Sequence, residues 1–216
     1  MTCATAHKYF RSLLVVIGLC TLLFFGYCTQ NMWKQARTHA AYVEGLRTQF
    51  IASEILKVSK TMSVFDALIA AQALLVCERK YKVSYTYFSE LCNQESTWNP
   101  KAFDPKGKTY GVTQMQQPLL REQCKKLGVP YISGHTEYDV GLCIMAAANY
   151  LMQGYNKYQS WDAAYRWYNG GPRFKINAGK NDKIKQMHTK YASDILRRQT
   201  LMFKKYRNFN RMIANG

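Results

Sequence analysis

The chain has 216 residues, room for one ordinary domain with appendages, and at 48% hydrophobic and 14% aromatic it is too apolar for a disordered protein. Its 30 Lys and Arg against 13 Asp and Glu leave a net charge of +17, which predicts affinity for a polyanion such as nucleic acid, acidic lipid headgroups or a bacterial cell wall. No phosphate-cradling Gly-rich loop, zinc-finger spacing or RNA-binding aromatic signature occurs, so nucleic acid has charge alone in its favour and is not an expected partner.

From Ser12 to Trp33 there is no Lys, Arg, Asp or Glu, and Leu13 to Cys28 is almost continuously apolar, long enough to cross a bilayer. Lys8 and Arg11 ahead of it also suit the n-region of a cleaved signal peptide. The run is long for such a peptide and lacks an Ala-x-Ala site, and bulky Tyr27 before Cys28 makes a poor lipoprotein signal. The reading is an uncleaved anchor over 12–33 behind a short N-terminus at 1–11. Lys34 and Arg37 balance Lys8 and Arg11, so charge does not orient it. Residues 34–64 mix Ala, charged and apolar residues at helical spacing and read as a helical linker.

Ser63 to Val76 predicts a strongly apolar helix, and Ser84 to Thr97 a second, ended by Pro100. Glu95 sits at the end of that second helix. Phe88, Leu91 and Cys92 precede it at i−7, i−4 and i−3, so its carboxylate continues an apolar stripe. Desolvation raises a carboxylic acid's pKa, and a Glu kept protonated near neutral pH can act as a general acid toward a glycosidic oxygen. A turn-rich loop, Asp104 to Lys108, leads into Tyr110 to Gln116, where short strands remain open.

Asp139 suits the cap of an apolar helix running to Gln153, with Gly154 at its C-terminus. Ser160 opens another helix, with Asp162 in its first turn, that Gly170-Gly171-Pro172 stops. A last helix starts near Asn181-Asp182 and carries Ile184, Met187, Tyr191 and Ile195. The tail at 197–216 holds six basic residues and no acid between Arg197 and Arg211, a solvated helix face or a surface for an anion. The architecture is mainly α. Cys77, Cys92, Cys124 and Cys143 either form up to two disulfides or serve as small buried hydrophobes. The cysteines form no C-x-x-C, and His7, His39, His135 and His188 no H-E-x-x-H, so no metal site is expected.

Three segments, Glu95-Ser96-x-Trp98-Asn99-Pro100-x-Ala102, Gly111-Val112-Thr113-Gln114 and Tyr168-Asn169-Gly170-Gly171-Pro172, resemble in order and spacing the lytic transglycosylase catalytic domain. The resemblance covers residues 65–196. It implies a lysozyme-like helical fold of the goose-type lysozyme and transglycosylase kind, preceded here by the transmembrane helix and linker. Glu95 matches the family's single catalytic acid/base, which cleaves the bond between N-acetylmuramic acid and N-acetylglucosamine in peptidoglycan and leaves a 1,6-anhydro end. Gln114 matches a glutamine lining the glycan groove. Tyr168 matches a tyrosine facing the acid, Asn169 an asparagine holding substrate or backbone, and Tyr191 a later tyrosine near the Glu. No metal or organic cofactor is implied.

The pattern is broken at Asp104, where the family often has Ser, and at Thr113 and Gln116, commonly Met; the loop before Gly111 is also one residue longer. A second carboxylate could activate water, so Asp104 admits lysozyme-type hydrolysis as an alternative, its bland role being an Asx turn. A third possibility is an inactive peptidoglycan-binding scaffold. The function expected is local cell-wall opening by an enzyme held in a bacterial inner membrane with its body in the periplasm. Secretion-apparatus assembly, conjugation and phage entry all suit it, with peptidoglycan strands as the partner.

Overall fold

The computed structural model describes residues 3–171 and 182–215, with side chains from residue 24 onward. Pro172 and Asn181, expected to stop and start helices, lie outside the described residues. Two compact units are present, Met1–Arg47 and Thr48–Gly216. Helix α1 (Cys3–Val58) makes up the first and lends its last turns to the second. Phe24, Phe25, Tyr27, Met32 and Trp33 on it are exposed. Among the described residues no helix is long and apolar enough to cross a membrane. Most of the apolar run expected to do so precedes residue 24, outside the described side chains.

The second unit is built around α5 (Val140–Tyr158), which packs against α2 (Val64–Tyr81), α4 (Gln117–Leu127) and α6 (Trp161–Gly170). Small residues let α2 and α5 approach closely: Ala67, Ala70, Ala71 and Ala73 are buried on one, Gly141 and Ala146 to Ala148 on the other. The cap expected at Asp139 forms, and Ser63 and Ser160, expected to open their helices, cap them as well. Ser63 Oγ accepts from the Asp66 amide at 3.0 Å, Asp139 Oδ1 from Leu142 at 2.9 Å and Ser160 Oγ from Ala163 at 3.4 Å. Gly154 is not the cap of α5, which runs on to Tyr158 and ends at Gln159 in the left-handed region. A Cβ on Gly154 would come within 2.6 Å of Trp167 Cε3, so the glycine makes room for that indole.

Helix α4 has no counterpart in the sequence reading. Only Leu120, Gln123 and Cys124 of it are buried, too short a stripe to announce itself. Three two-residue strands, β1 (Phe103–Asp104), β2 (Thr109–Tyr110) and β3 (Met115–Gln116), form an antiparallel sheet in that order, with Tyr110 facing Phe103 on one side and Met115 on the other. All four cysteines beyond residue 28 are free and buried, and burial pushes their thiols up, so they serve as core hydrophobes.

The compact unit takes in residues from the expected linker and from the basic tail. Ile51, Ala52 and Ile55 from the expected linker are buried. Helix α7 (Asp182–Asn215) packs on α3 (Thr86–Ser96) and α6 and carries on through the basic tail. Along that tail Phe209 stacks on Phe50 (4.2 Å), Tyr206 meets Tyr85 edge-on (4.7 Å), and Lys205 Nζ pairs with the buried Glu54 at 2.8 Å. Burial of Glu54 would raise its carboxyl, but Lys205 and Lys57 hold it below the ordinary value.

Candidate active site

The site begins where α3 stops. After Ser96 the chain turns through Thr97 (φ 52°) and Trp98 (φ 61°), two successive non-glycine residues in the left-handed region. Such a conformation persists only when its surroundings hold it. Trp98 is 2% exposed, and its carbonyl accepts from Ser59 Oγ at 3.0 Å. Ser96 fastens the turn: its Oγ donates to the Val112 carbonyl (2.9 Å) and accepts from the Asn99 amide (3.1 Å). The two sequence segments 95–102 and 111–114 are thus joined through one serine.

The second segment is a tight turn between β2 and β3. Gly111 has φ +67°, and a Cβ there would lie 2.3 Å from the Glu137 carbonyl oxygen. Gln114, also left-handed, accepts from Thr109 Oγ1 at 2.8 Å and donates through Nε2 to the Gly111 carbonyl at 3.0 Å. The third segment reaches the same turn from α6, where Tyr168 Oη donates to the Thr113 carbonyl at 2.9 Å. Gln114, Tyr168 and Asn169 line a groove of about 660 Å³, together with Tyr150, Gln153 and Trp167.

Glu95 is partly exposed as a residue, and its Oε1 accepts a short hydrogen bond from Tyr191 Oη on α7. Burial pushes its pKa from 4.5 up to about 7, against the opposing pull of the Tyr191 bond. Burial and then the nearby Glu95 charge raise the phenols of both Tyr168 and Tyr191. Glu95, Tyr168 and Tyr191 therefore share one electrostatic neighbourhood. In Tyr191→Phe the carboxylate loses its donor, so the Glu95 pKa should rise above about 7. The alkaline limb of the activity profile should then move to higher pH; an unmoved limb would show that Tyr191 does not tune the acid.

Asp104 is differently committed. Its Oδ1 accepts from the Lys106 amide (3.0 Å) and its Oδ2 from the Gly107 amide (2.9 Å), closing the β1–β2 loop as an Asx turn. Glu137, absent from the sequence reading, is another buried carboxylate, at 1% exposure. It accepts from Tyr131 Oη (2.5 Å), Gln117 Nε2 (2.7 Å) and the Gly134 amide (2.9 Å). Burial alone would raise its carboxyl, but those donors hold it below the ordinary value. Only its tertiary partners separate it from Glu95, because nothing in the stretch Thr136-Glu137-Tyr138 distinguishes it from a surface residue. Among the described residues no group of three or more His, Cys, Asp or Glu is placed to hold a metal.

A helical bundle with a small antiparallel corner and one dehydrated Glu at a helix end defines a lysozyme-like domain. Residues 73–191, more than half of the chain, match the family model described as Transglycosylase SLT domain, and the chain belongs to that family. Among solved structures, the lytic transglycosylase Slt of Pseudomonas aeruginosa, in an inactive mutant form, is similar with a TM-score of 0.51 at 15% identity, covering 63% of this chain and 24% of that one. The 70 kDa soluble lytic transglycosylase of Escherichia coli gives 0.49 at 17% identity, covering 69% and 28%. The chain thus spans about a quarter of the length of these proteins. No curated protein matches it.

Proposed function

We propose that this chain is a peptidoglycan lytic transglycosylase, cleaving the β-1,4 bond between N-acetylmuramic acid and N-acetylglucosamine with formation of a 1,6-anhydro end. The observation that carries the reading is the Glu95 carboxyl, dehydrated to a pKa of about 7 and contacted by Tyr191. At neutral pH a substantial fraction is protonated and can donate to the leaving glycosidic oxygen as the C1–O bond breaks. The resulting carboxylate, steadied by Tyr191, takes the proton of the muramic acid's own 6-hydroxyl. That oxygen closes on C1. The proton borrowed from Glu95 is returned, and no water is consumed.

Hydrolysis would need a second group to activate water, and both Asp104 oxygens are engaged by backbone amides of their own loop. Gln114, Tyr168 and Asn169 are proposed to bind the glycan along the groove, with the net charge of +17 attracting the acidic wall polymer. We place the catalytic unit on the wall side of an inner membrane, held by the N-terminal helix. The uncharged stretch Ser12 to Trp33 and the exposed Phe24, Phe25 and Tyr27 support that placement. Local wall opening is the process such an enzyme suits.

Mass spectrometry of purified sacculi digested by the protein tests the reaction. Muropeptides lighter by one water, with no reducing muramic acid end, are expected. Reducing-end products would replace the transglycosylase with a hydrolase, and the absence of any released fragment would leave a wall-binding scaffold.

A further inference from the structure

Asn169 stands on the last turn of α6 in the groove wall, and its Nδ2 lies 3.1 Å from Nδ1 of His188 on α7. His188 is 5% exposed and belongs to the buried face of α7, with Ala192, Ile195, Gln199 and Tyr206. It also precedes Tyr191 by three residues, so adjoining positions on one helix reach the groove asparagine and the acid. We infer that His188 is a positioning residue whose protonation state decides whether Asn169 offers a hydrogen-bond acceptor or a donor to the glycan in the groove. This inference rests on the reading of the groove as the glycan site.

The argument follows from the inventory of an imidazole. A neutral ring with its proton on Nε2 leaves Nδ1 as an acceptor, so the Asn169 amide N–H donates to it and Asn169 Oδ1 stays available to accept from a sugar hydroxyl or acetamido N–H. An imidazolium donates from both nitrogens and accepts at neither. Nδ1–H then requires Asn169 Oδ1, and the amide must turn over to present Nδ2 in its place. A sugar donor that Asn169 accepted in the first state faces another donor in the second.

The surroundings favour the neutral ring. Burial, and then the positive charge of Arg166 on α6, push the His188 imidazole below its ordinary value of 6.5. Arg166 is itself paired with Asp162 at 2.6 Å. On α7 itself Lys185 stands one turn before His188, and Tyr191, one turn after it, carries the bond to Glu95 of α3. The acceptor state is therefore the neutral-pH state, and acid reverses it.

Binding of a purified tetrasaccharide of alternating N-acetylglucosamine and N-acetylmuramic acid, measured by calorimetry on the full chain in a Glu95→Gln background, isolates the effect from cleavage and from titration of the acid. As acidification from pH 7.5 protonates the imidazole, the Kd should weaken, by about threefold to tenfold once protonation is complete, the worth of one hydrogen bond. Adding His188→Asn, whose Oδ1 takes the place of Nδ1 and accepts from Asn169 at every pH, should keep the pH 7.5 affinity and flatten the dependence. Asn169→Ala, an exposed site that leaves the fold intact, should flatten it with His188 present. An acid-dependent loss that persists unchanged in either variant overturns the inference. Failure of the wild type to release muropeptides would instead overturn the enzymatic reading, because the binding measurement needs no turnover.

Discussion

Glu95→Gln should abolish release of muropeptides from sacculi while making the protein more stable. The loss should be about 10² to 10⁴ in rate, the range general acid/base catalysis supplies. The gain follows from the raised pKa. In the unfolded chain the Glu95 carboxyl ionises near 4.5, and in the folded one near 7. Between those values the folded state binds more protons than the unfolded state, so stability falls as pH rises through that window and stays reduced above it. Glutamine does not titrate, and its amide oxygen can still accept from Tyr191. The variant should therefore match the wild type near pH 4 and exceed it by a margin that grows to about 3 kcal/mol at most by pH 8. Urea titrations at pH 4, 6 and 8 read that margin. Equal stability at all three would mean that the carboxyl is not dehydrated, and the acid assignment would lose its physical basis.

Gly111→Ala should be the most damaging single-methyl change in the domain. The backbone there has φ +67°, which costs an L-residue about 1–2 kcal/mol, and the new Cβ would meet the Glu137 carbonyl oxygen at 2.3 Å. Forcing the neighbouring backbone aside adds about 1–3 kcal/mol, so a total loss of about 2–5 kcal/mol is expected. Activity should fall too, because the Val112 and Thr113 carbonyls that anchor Ser96 and Tyr168 belong to this turn. A displacement near 1 Å at a catalytic constellation can cost a hundredfold in rate. Denaturant midpoint and sacculus turnover check both effects. A variant within about 0.5 kcal/mol of wild type and fully active would show that the turn is far more compliant than its contacts indicate.

Much of the frame was legible from local rules. Ser63, Asp139 and Ser160 cap the helices they were expected to open, because an oxygen-bearing side chain ahead of an apolar run satisfies amides that the helix cannot. Gly154 was misread for an equally local reason. A glycine near the end of a periodic stretch resembles a cap, and only the indole of Trp167, thirteen residues on, shows that the missing Cβ is a packing site. The basic tail was expected to end outside the catalytic domain. Charge dominates its composition, while the residues that bind it to the core, Gln199, Lys205, Tyr206 and Phe209, are too few to make a visible stripe.

The chain by itself determined the helical class, the caps, the placement of Glu95 on an apolar stripe and the order of the three segments that carry the site. Each of these depends on residues within a few turns of one another, where spacing alone fixes the face a side chain occupies. Only the tertiary structure decided the rest. It set Tyr191 on Glu95 across 96 positions and bound Ser96 and Tyr168 to one turn. It also gave Glu95 and Glu137 opposite pKa shifts, raised in the first and lowered in the second. A carboxyl's pKa is the balance of lost water against gained donors, and the chain's folding decides which donors arrive: Tyr191 of α7 for Glu95, and Gln117 of α4 with the loop residues Tyr131 and Gly134 for Glu137.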